Sequence, residues 1–379
     1  MIEDNKIQEL IIEGDKYYSS KGVGKDIYRA IKLYEAAIEF NCLDRIDRVF
    51  SYYFDGVYHM RYPQFAKSLA NKMVRSRLPM GYVYLARINY YELSLLEYFP
   101  LSEELLHLAR SEGIDTTFYE GELEFYRLKT TYKGEDDPES NQKVSQIKDI
   151  FQKCIDNGDK RGYYYLALLL EYEEDILDRF SDKYRICYID YMKKCLDYAP
   201  EAREKLFLYL LNYGQNNEDY EMMMDLFKEG LNNQYFYFLK REKTFLHFRV
   251  EIDPSKYRYV SRNYITYLMR EYSYKNIRRF KIIMDGKELN QFDAVKALER
   301  AFILYDRVAI YEKFASRVVG DFSMIDNQED VFNYLLELKD YIINKYPDTM
   351  LFRSDNLPII SVEDYLNSAL FLLKVNKIL

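Results

Sequence analysis

The feature that most constrains this chain is a period. The place held by Ala37 recurs at Met73, Ala109, Cys154, Cys195 and Gly230, at intervals of 36, 36, 45, 41 and 35 residues. Intervals of this size mark arrays of helical hairpins, because one hairpin cannot bury its apolar face alone and must stack on the next. The 45-residue interval contains the insertion Lys133–Asn141, whose GEDDPES run reads as an exposed acidic loop.

The best-formed copy spans Glu13 to Asn41. Ile7, Leu10, Ile11, Tyr17 and Tyr18 follow helical spacing and end at Ser19–Lys25, where Gly22 and Gly24 favour a turn. Asp26 is then placed to cap a second helix by accepting backbone N–H bonds. Ile27, Ala30, Leu33, Tyr34, Ala37 and Ile38 form its apolar stripe, and Glu35 falls on the opposite, outer face. Ala30 and Ala37 are small enough for a neighbouring helix to come close. Asn41 suits a left-handed C-terminal cap.

Gly14, Tyr17, Ser20-Lys21-Gly22-Val23, Asp26, Arg29-Ala30, Leu33-Tyr34 and Ala37-Ile38 occupy the places that define a known repeat. In this the stretch resembles the Sel-one-like repeat, a relative of the tetratricopeptide repeat, with Ser20 for Gly, Leu33 for Trp and Ile38 for Ala. The second copy keeps Tyr53, Gly56, Phe65-Ala66 and Leu69, with Pro63 in the first turn of its second helix. Further copies take Gly81–Gly113, the insertion-bearing unit, the stretch from Arg161 to Pro200, and Glu201–Asn233 with a turn at Gly214-Gln-Asn-Asn. The resemblance implies an all-α fold, a right-handed α-solenoid of about six hairpins. It also implies a protein-binding surface lined by the first helix of each hairpin. Each hairpin is expected to touch mainly its neighbours.

Past Gln234 the repeat weakens, and a boundary near residue 240 separates a 1–240 solenoid from a mostly helical 241–379 region. Phe248–Ile252 alternates like a strand, and Lys281–Leu289 reads as a strand pair around Asp285-Gly286. Both are also compatible with helix ends. Helices are expected at Phe292–Val319, Glu329–Lys345 and Ser361–Lys377.

The chain carries 54 Lys+Arg and 62 Asp+Glu, a net charge of −8, which argues against a protein that coats nucleic acid along its whole length. Between Lys240 and Lys287, however, 13 basic residues face 5 acidic ones, and tyrosines and phenylalanines lie between them. Arg270, Lys275, Arg278, Arg279 and Lys281 are the candidate binding residues of this segment. Basic grooves with aromatic platforms bind single-stranded nucleic acid. An acidic protein partner, or a structural face, accounts for the same residues. With 41 Tyr and 23 Phe in the chain, aromatic interleaving discriminates weakly. The same excess is what an A/T-rich coding bias produces, with Tyr filling inter-helix positions.

No catalytic motif emerges. GVGKD at Gly22 lacks the first Gly and the Ser/Thr of a phosphate-binding loop, and reads as the repeat turn. His59, His107 and His247 have no metal-ligand spacing. Glu135-Asp136-Asp137 and Glu173-Glu174-Asp175 read as solvated turn acids. Cys42, Cys154, Cys187 and Cys195 form no C-x-x-C pair, and Cys154 and Cys195 fall at the small core position. No secretory signal and no membrane-length apolar run is present. These observations lead to a cytoplasmic, non-enzymatic scaffold or adaptor with no cofactor and no metal, binding another protein. Single-stranded RNA or DNA on the basic segment is the second reading.

Overall fold

The computed structural model describes residues 2–19, 24–58, 60–93, 96–134, 137–172, 181–240, 256–276, 283–284, 287–288, 328–352 and 360–375. Helix dominates them. Five hairpins follow one another: α1 (Ile2–Ser19) with α2 (Ile27–Glu39), α3 (Ile46–Phe54) with α4 (Pro63–Arg75), α5 (Met80–Ile88) with α6 (Phe99–Ser111), α7 (Thr117–Thr131) with α8 (Pro138–Asp156), and α9 (Gly162–Leu169) with α10 (Asp182–Cys195). A sixth pair of helices, α11 (Glu201–Tyr213) and α12 (Asn217–Asn232), comes next. The chain divides into two compact units, one of residues 1–206 with 226–243, the other of 207–225 with 244–379.

In the first unit the fold is an all-α solenoid, each helix packing on the next from α1 to α10. Local chemistry sets the helix ends. Asp26 caps α2, its carboxylate accepting from the Arg29 N–H at 2.9 Å, and Pro63 opens α4 in its first turn. The apolar stripe of α2 is buried at Ile27, Ala30, Ile31, Tyr34, Ala37 and Ile38. Ile31 widens the expected stripe because α2 is covered by both α1 and α3. Glu35 departs from its expected outer position. It accepts from the Tyr53 hydroxyl at 2.5 Å and pairs with Lys32 at 2.7 Å, in the seam with the next hairpin.

The period has a hydrogen-bond cause. After five of the six second helices the chain turns through a left-handed residue: Asn41 (φ 64°), Arg77 (60°), Gly113 (89°), Gly158 (93°) and Gln234 (58°). The next residue's N–H then donates back five positions, to the carbonyls of Ala37 (3.1 Å), Met73 (2.9 Å), Ala109 (3.1 Å), Cys154 (2.8 Å) and Gly230 (2.9 Å). These are the recurring places read from the sequence, and the geometry is the Schellman cap. Cys195 is the exception. The residue five beyond it is Pro200, which has no N–H, so the Cys195 carbonyl accepts from Tyr198 and Ala199 in a continuing helical turn. All six places are buried. At Gly230 an added Cβ would fall 2.2 Å from the Phe238 ring, so only glycine admits that approach.

Contacts are not confined to neighbours. The first unit closes on itself where residues 233–236 meet the first two hairpins. Lys25 Nζ donates to Asn233 Oδ1 at 2.9 Å, and Gln234 Nε2 donates to the Lys25 carbonyl at 2.7 Å. The Phe236 N–H donates to the Val57 carbonyl at 2.8 Å, and the Tyr58 and Tyr235 rings lie 5.6 Å apart. The hairpins do touch mainly their neighbours, as expected, and this closure adds contacts that the expectation did not include. Superhelical curvature, which no local pattern encodes, brings residues about 200 positions apart together.

In the second unit, β1 (Arg258–Ser261) runs parallel to β4 (Thr349–Phe352), which pairs antiparallel with β5 (Ile360–Ser361). Helices α13 (Arg262–Asn276), α14 (Gln328–Lys345) and α15 (Val362–Val375) accompany this sheet, with Tyr259, Val260, Ile342, Leu351 and Leu366 buried. The last two helices match the expected ones to within a few residues. The expected strand pair is present as β2 (Ile283–Met284) against β3 (Lys287–Glu288). The three-stranded sheet was not foreseen. β1 is buried at three successive residues and so shows no alternation, and its partner lies some 90 residues away. Phe248–Ile252 and Phe292–Val319 lie outside the described residues, as does the Ser20–Val23 turn.

Candidate ligand-binding site

The first helices of successive hairpins carry one stripe of tyrosines and charges at i, i+3, i+7 spacing, which places all three on one helical face. In α5 and the π-helical turn that continues it (Asn89–Leu93), the stripe is Tyr84, Arg87 and Tyr91. In α7 it is Tyr119, Glu122 and Tyr126. Arg48, Ser51 and Asp55 continue it on and just after α3, and Arg161, Tyr164 and Leu168 just before and in α9. Tyr18 of α1 and Glu201, first residue of α11, complete the wall of a cavity of about 340 Å³. Of the helical lining residues, only Ile31 comes from a second helix.

At the centre is a buried polar knot. The Glu122 side chain is 3% exposed and accepts four hydrogen bonds. Arg87 donates Nε to Oε2 at 3.1 Å and Nη2 to Oε1 at 3.3 Å. The Tyr90 hydroxyl donates at 2.7 Å and the Tyr165 hydroxyl at 2.6 Å. A carboxylate offers about four lone-pair positions, so Glu122 is fully satisfied. Arg87 Nη1 also lies 3.5 Å from Asp55 Oδ1, and its guanidinium sits 5.1 Å from the Phe54 ring centre. Removing one partner from such a pair leaves the other charge buried alone, at a cost of about 3–5 kcal/mol. This knot holds α3, α5, α7 and α9 at fixed separations.

The other cavity arginines lie on aromatic faces and are already engaged. Arg48 stands 4.4 Å from the Tyr18 ring centre and pairs with Asp15 at 2.6 Å. The Arg45 side chain, with Tyr34 and Arg48, holds the Asp15 carboxyl well below the usual range despite partial burial. Arg161 stacks 3.9 Å from the Phe118 centre while its guanidinium grips Asp159 at 2.6 Å. Arg61 lies 4.1 Å over Tyr91, donates to that ring's hydroxyl, and reaches the Asp55 carbonyl at 3.3 Å.

Two carboxyls behave differently. Burial raises Asp55, an effect Arg87 partly offsets. Burial, reinforced by the Asp55 charge, pushes Glu201 up to about 7. Burial likewise raises the hydroxyls of Tyr58, Tyr126 and Tyr164, which stay neutral. Perturbed groups gathered in one cavity are a physical sign of a working site. Among the described residues, no group of three or more His, Cys, Asp or Glu is placed to hold a metal ion.

Neither Arg270 nor Lys275 is among the residues that line this cavity. Arg270 and Lys275 are on α13, and Arg278, Arg279 and Lys281 fall outside the described residues. Of the aromatics in the basic segment, Tyr259 is fully buried against Tyr220, with ring centres 4.2 Å apart. Tyr264 packs on Tyr346 and Tyr272 on Tyr341. The cavity residues were missed although a signal existed. Tyr-x-x-Arg-x-x-x-Tyr at Tyr84 and Tyr-x-x-Glu-x-x-x-Tyr at Tyr119 put a charge inside a face that otherwise reads as core.

No family model matches the sequence, and no curated protein matches it. Among solved structures, one similar chain is c5321, a protective antigen present in uropathogenic Escherichia coli strains and displaying an SLR fold. It shares 16% identity, over 91% of this chain and 70% of that one, with a TM-score of 0.34. A likeness at that level carries no argument, and the solenoid assignment rests on the hairpins and caps described above.

Proposed function

We propose that the first unit is a non-enzymatic scaffold that holds a segment of a partner protein in the tyrosine-lined cavity. The observation that carries this reading is the convergence of the first-helix stripes on one cavity. Tyr91, Tyr126 and Tyr164 present rings there from three different helices. Rigid aromatic side chains give contact area while losing little conformational freedom on binding, which is why they dominate binding hot spots. The Arg87–Glu122 knot supports the same reading, because it fixes the walls before a partner arrives.

In this reading the protein works as an adaptor in a reducing cytoplasm, with Cys42, Cys154, Cys187 and Cys195 as thiols. No helix among the described residues is long and apolar enough to cross a membrane. The test is to fill the cavity. Leu168→Trp places an indole in the space while leaving the knot intact. The expected result is loss of the partner in pull-downs with a melting temperature within a few degrees of wild type. Retention of the partner by a folded Leu168→Trp protein would show that it binds elsewhere.

A further inference from the structure

We infer that the cavity receives a cationic side chain, the guanidinium or ammonium of a partner Arg or Lys, between the tyrosine rings and the carboxyls of Asp55 and Glu201. The inference rests on the scaffold reading and names its chemistry.

Charge decides the sign of the ligand. Arg48 is paired with Asp15 and Arg161 with Asp159, both at 2.6 Å. Arg87 gives its fork to Glu122 and only a 3.5 Å contact to Asp55. Glu201 has no cation within ion-pair distance among the described residues. Arg61 donates to the Asp55 carbonyl and lies on the Tyr91 ring, and its charge also acts on the Asp55 carboxyl. The centre of the cavity thus holds three carboxyl groups, those of Asp55, Glu122 and Glu201, around two guanidiniums, those of Arg87 and Arg61. An incoming anion would meet them in a desolvated space, where like charges repel strongly. An incoming cation would supply the countercharge that Glu201 lacks and add to the one Arg87 gives Asp55.

The aromatic lining points the same way. A cation over a Tyr face is attracted by the ring quadrupole, more so when desolvated. The cavity already uses this contact with its own side chains, as in Arg48 on Tyr18, Arg61 on Tyr91, Arg87 on Phe54 and Arg161 on Phe118. Tyr126 and Tyr164 line the same space, and among the described residues no cation lies over the Tyr164 ring. Size fits as well. About 340 Å³ lies at the lower end of ligand pockets, room for one long side chain rather than a folded element. The elevated Glu201 carboxyl is consistent with a site whose countercharge arrives from outside.

The test uses the full chain and three small probes: N-acetyl-arginine amide, its neutral isostere N-acetyl-citrulline amide, and N-acetyl-glutamate amide. Titration followed by NMR of ring-labelled tyrosine should show saturable binding of the arginine probe. The citrulline probe should bind at least about tenfold more weakly, since the charge is what it lacks, and the glutamate probe not at all. Glu201→Gln should weaken the arginine probe by about tenfold and leave the citrulline probe unchanged. Glu112→Gln, on the exposed end of α6, should alter neither. Equal binding of arginine and citrulline, or preference for glutamate, would overturn the inference. So would absence of any probe binding while Leu168→Trp still abolishes partner capture, an outcome that leaves the scaffold reading standing. If Leu168→Trp keeps the partner while the arginine probe binds as expected, the scaffold reading falls and the cation site survives alone.

Discussion

A carboxyl group that loses water on folding without gaining a cation keeps its proton to higher pH. Glu201 is such a group, raised from an ordinary value of 4.5 to about 7. Between these two values the folded protein holds a proton that the unfolded chain has released, so stability falls as pH rises through that window. Asp55, also raised, acts in the same direction. Glu201→Gln removes the titration. The variant should melt with wild type at pH 4 and a few degrees above it at pH 8, as followed by circular dichroism across the range. A difference independent of pH would mean that Glu201 is solvated in the folded protein. Residues of this kind are not legible in sequence. Glu201 follows Pro200 in what reads as an ordinary helix start, where acids are common, and only the packing of the unit half-buries it.

The hairpin is the scale at which the sequence was most informative. Asp26, Asn41, Pro63 and the six recurring places act through the nearest five residues of backbone, so their roles follow from local chemistry. The same caps yield a prediction. Arg77 occupies a left-handed conformation (φ 60°) that costs a residue with a Cβ roughly 1 kcal/mol. Gly158 occupies the equivalent place in the fourth hairpin at φ 93° without that cost. Arg77→Gly should therefore raise stability by up to about 1 kcal/mol, and Gly158→Ala should lower it by about 1 kcal/mol or more. Urea denaturation of the two variants measures both. Destabilisation by Arg77→Gly would show that its side chain contributes more than its backbone costs. What the hairpin scale hides is the cavity. Tyr84, Arg87 and Tyr91 obey the same spacing as core residues, and in a chain with 41 Tyr another tyrosine stripe is unremarked. That the stripes converge depends on the curvature summed over the array.

At the scale of the molecule, the two units carry separate proposals. For the second, Arg270, Lys275, Arg278, Arg279 and Lys281 are proposed contacts to an acidic protein surface. Were they phosphate contacts instead, single-stranded oligonucleotide affinity would fall with salt at a log–log slope near 0.7 per contact. Arg278→Ala with Arg279→Ala would then lower that slope by about one to two. The expected outcome is weak, unsaturable oligonucleotide binding in both proteins, and tight saturable binding at physiological salt would reverse the assignment. For the first unit, the central claim is that a partner enters the cavity bounded by Tyr91, Tyr126, Tyr164 and Glu201. Site-specific photo-crosslinking in the native cell tests it most directly. A benzophenone amino acid is placed at position 164, inside the cavity, or at position 67, exposed on α4. The account predicts a discrete adduct from position 164 that disappears in the Leu168→Trp background, and none from position 67. An adduct from position 67 alone, or one from position 164 that survives the filled cavity, would contradict it.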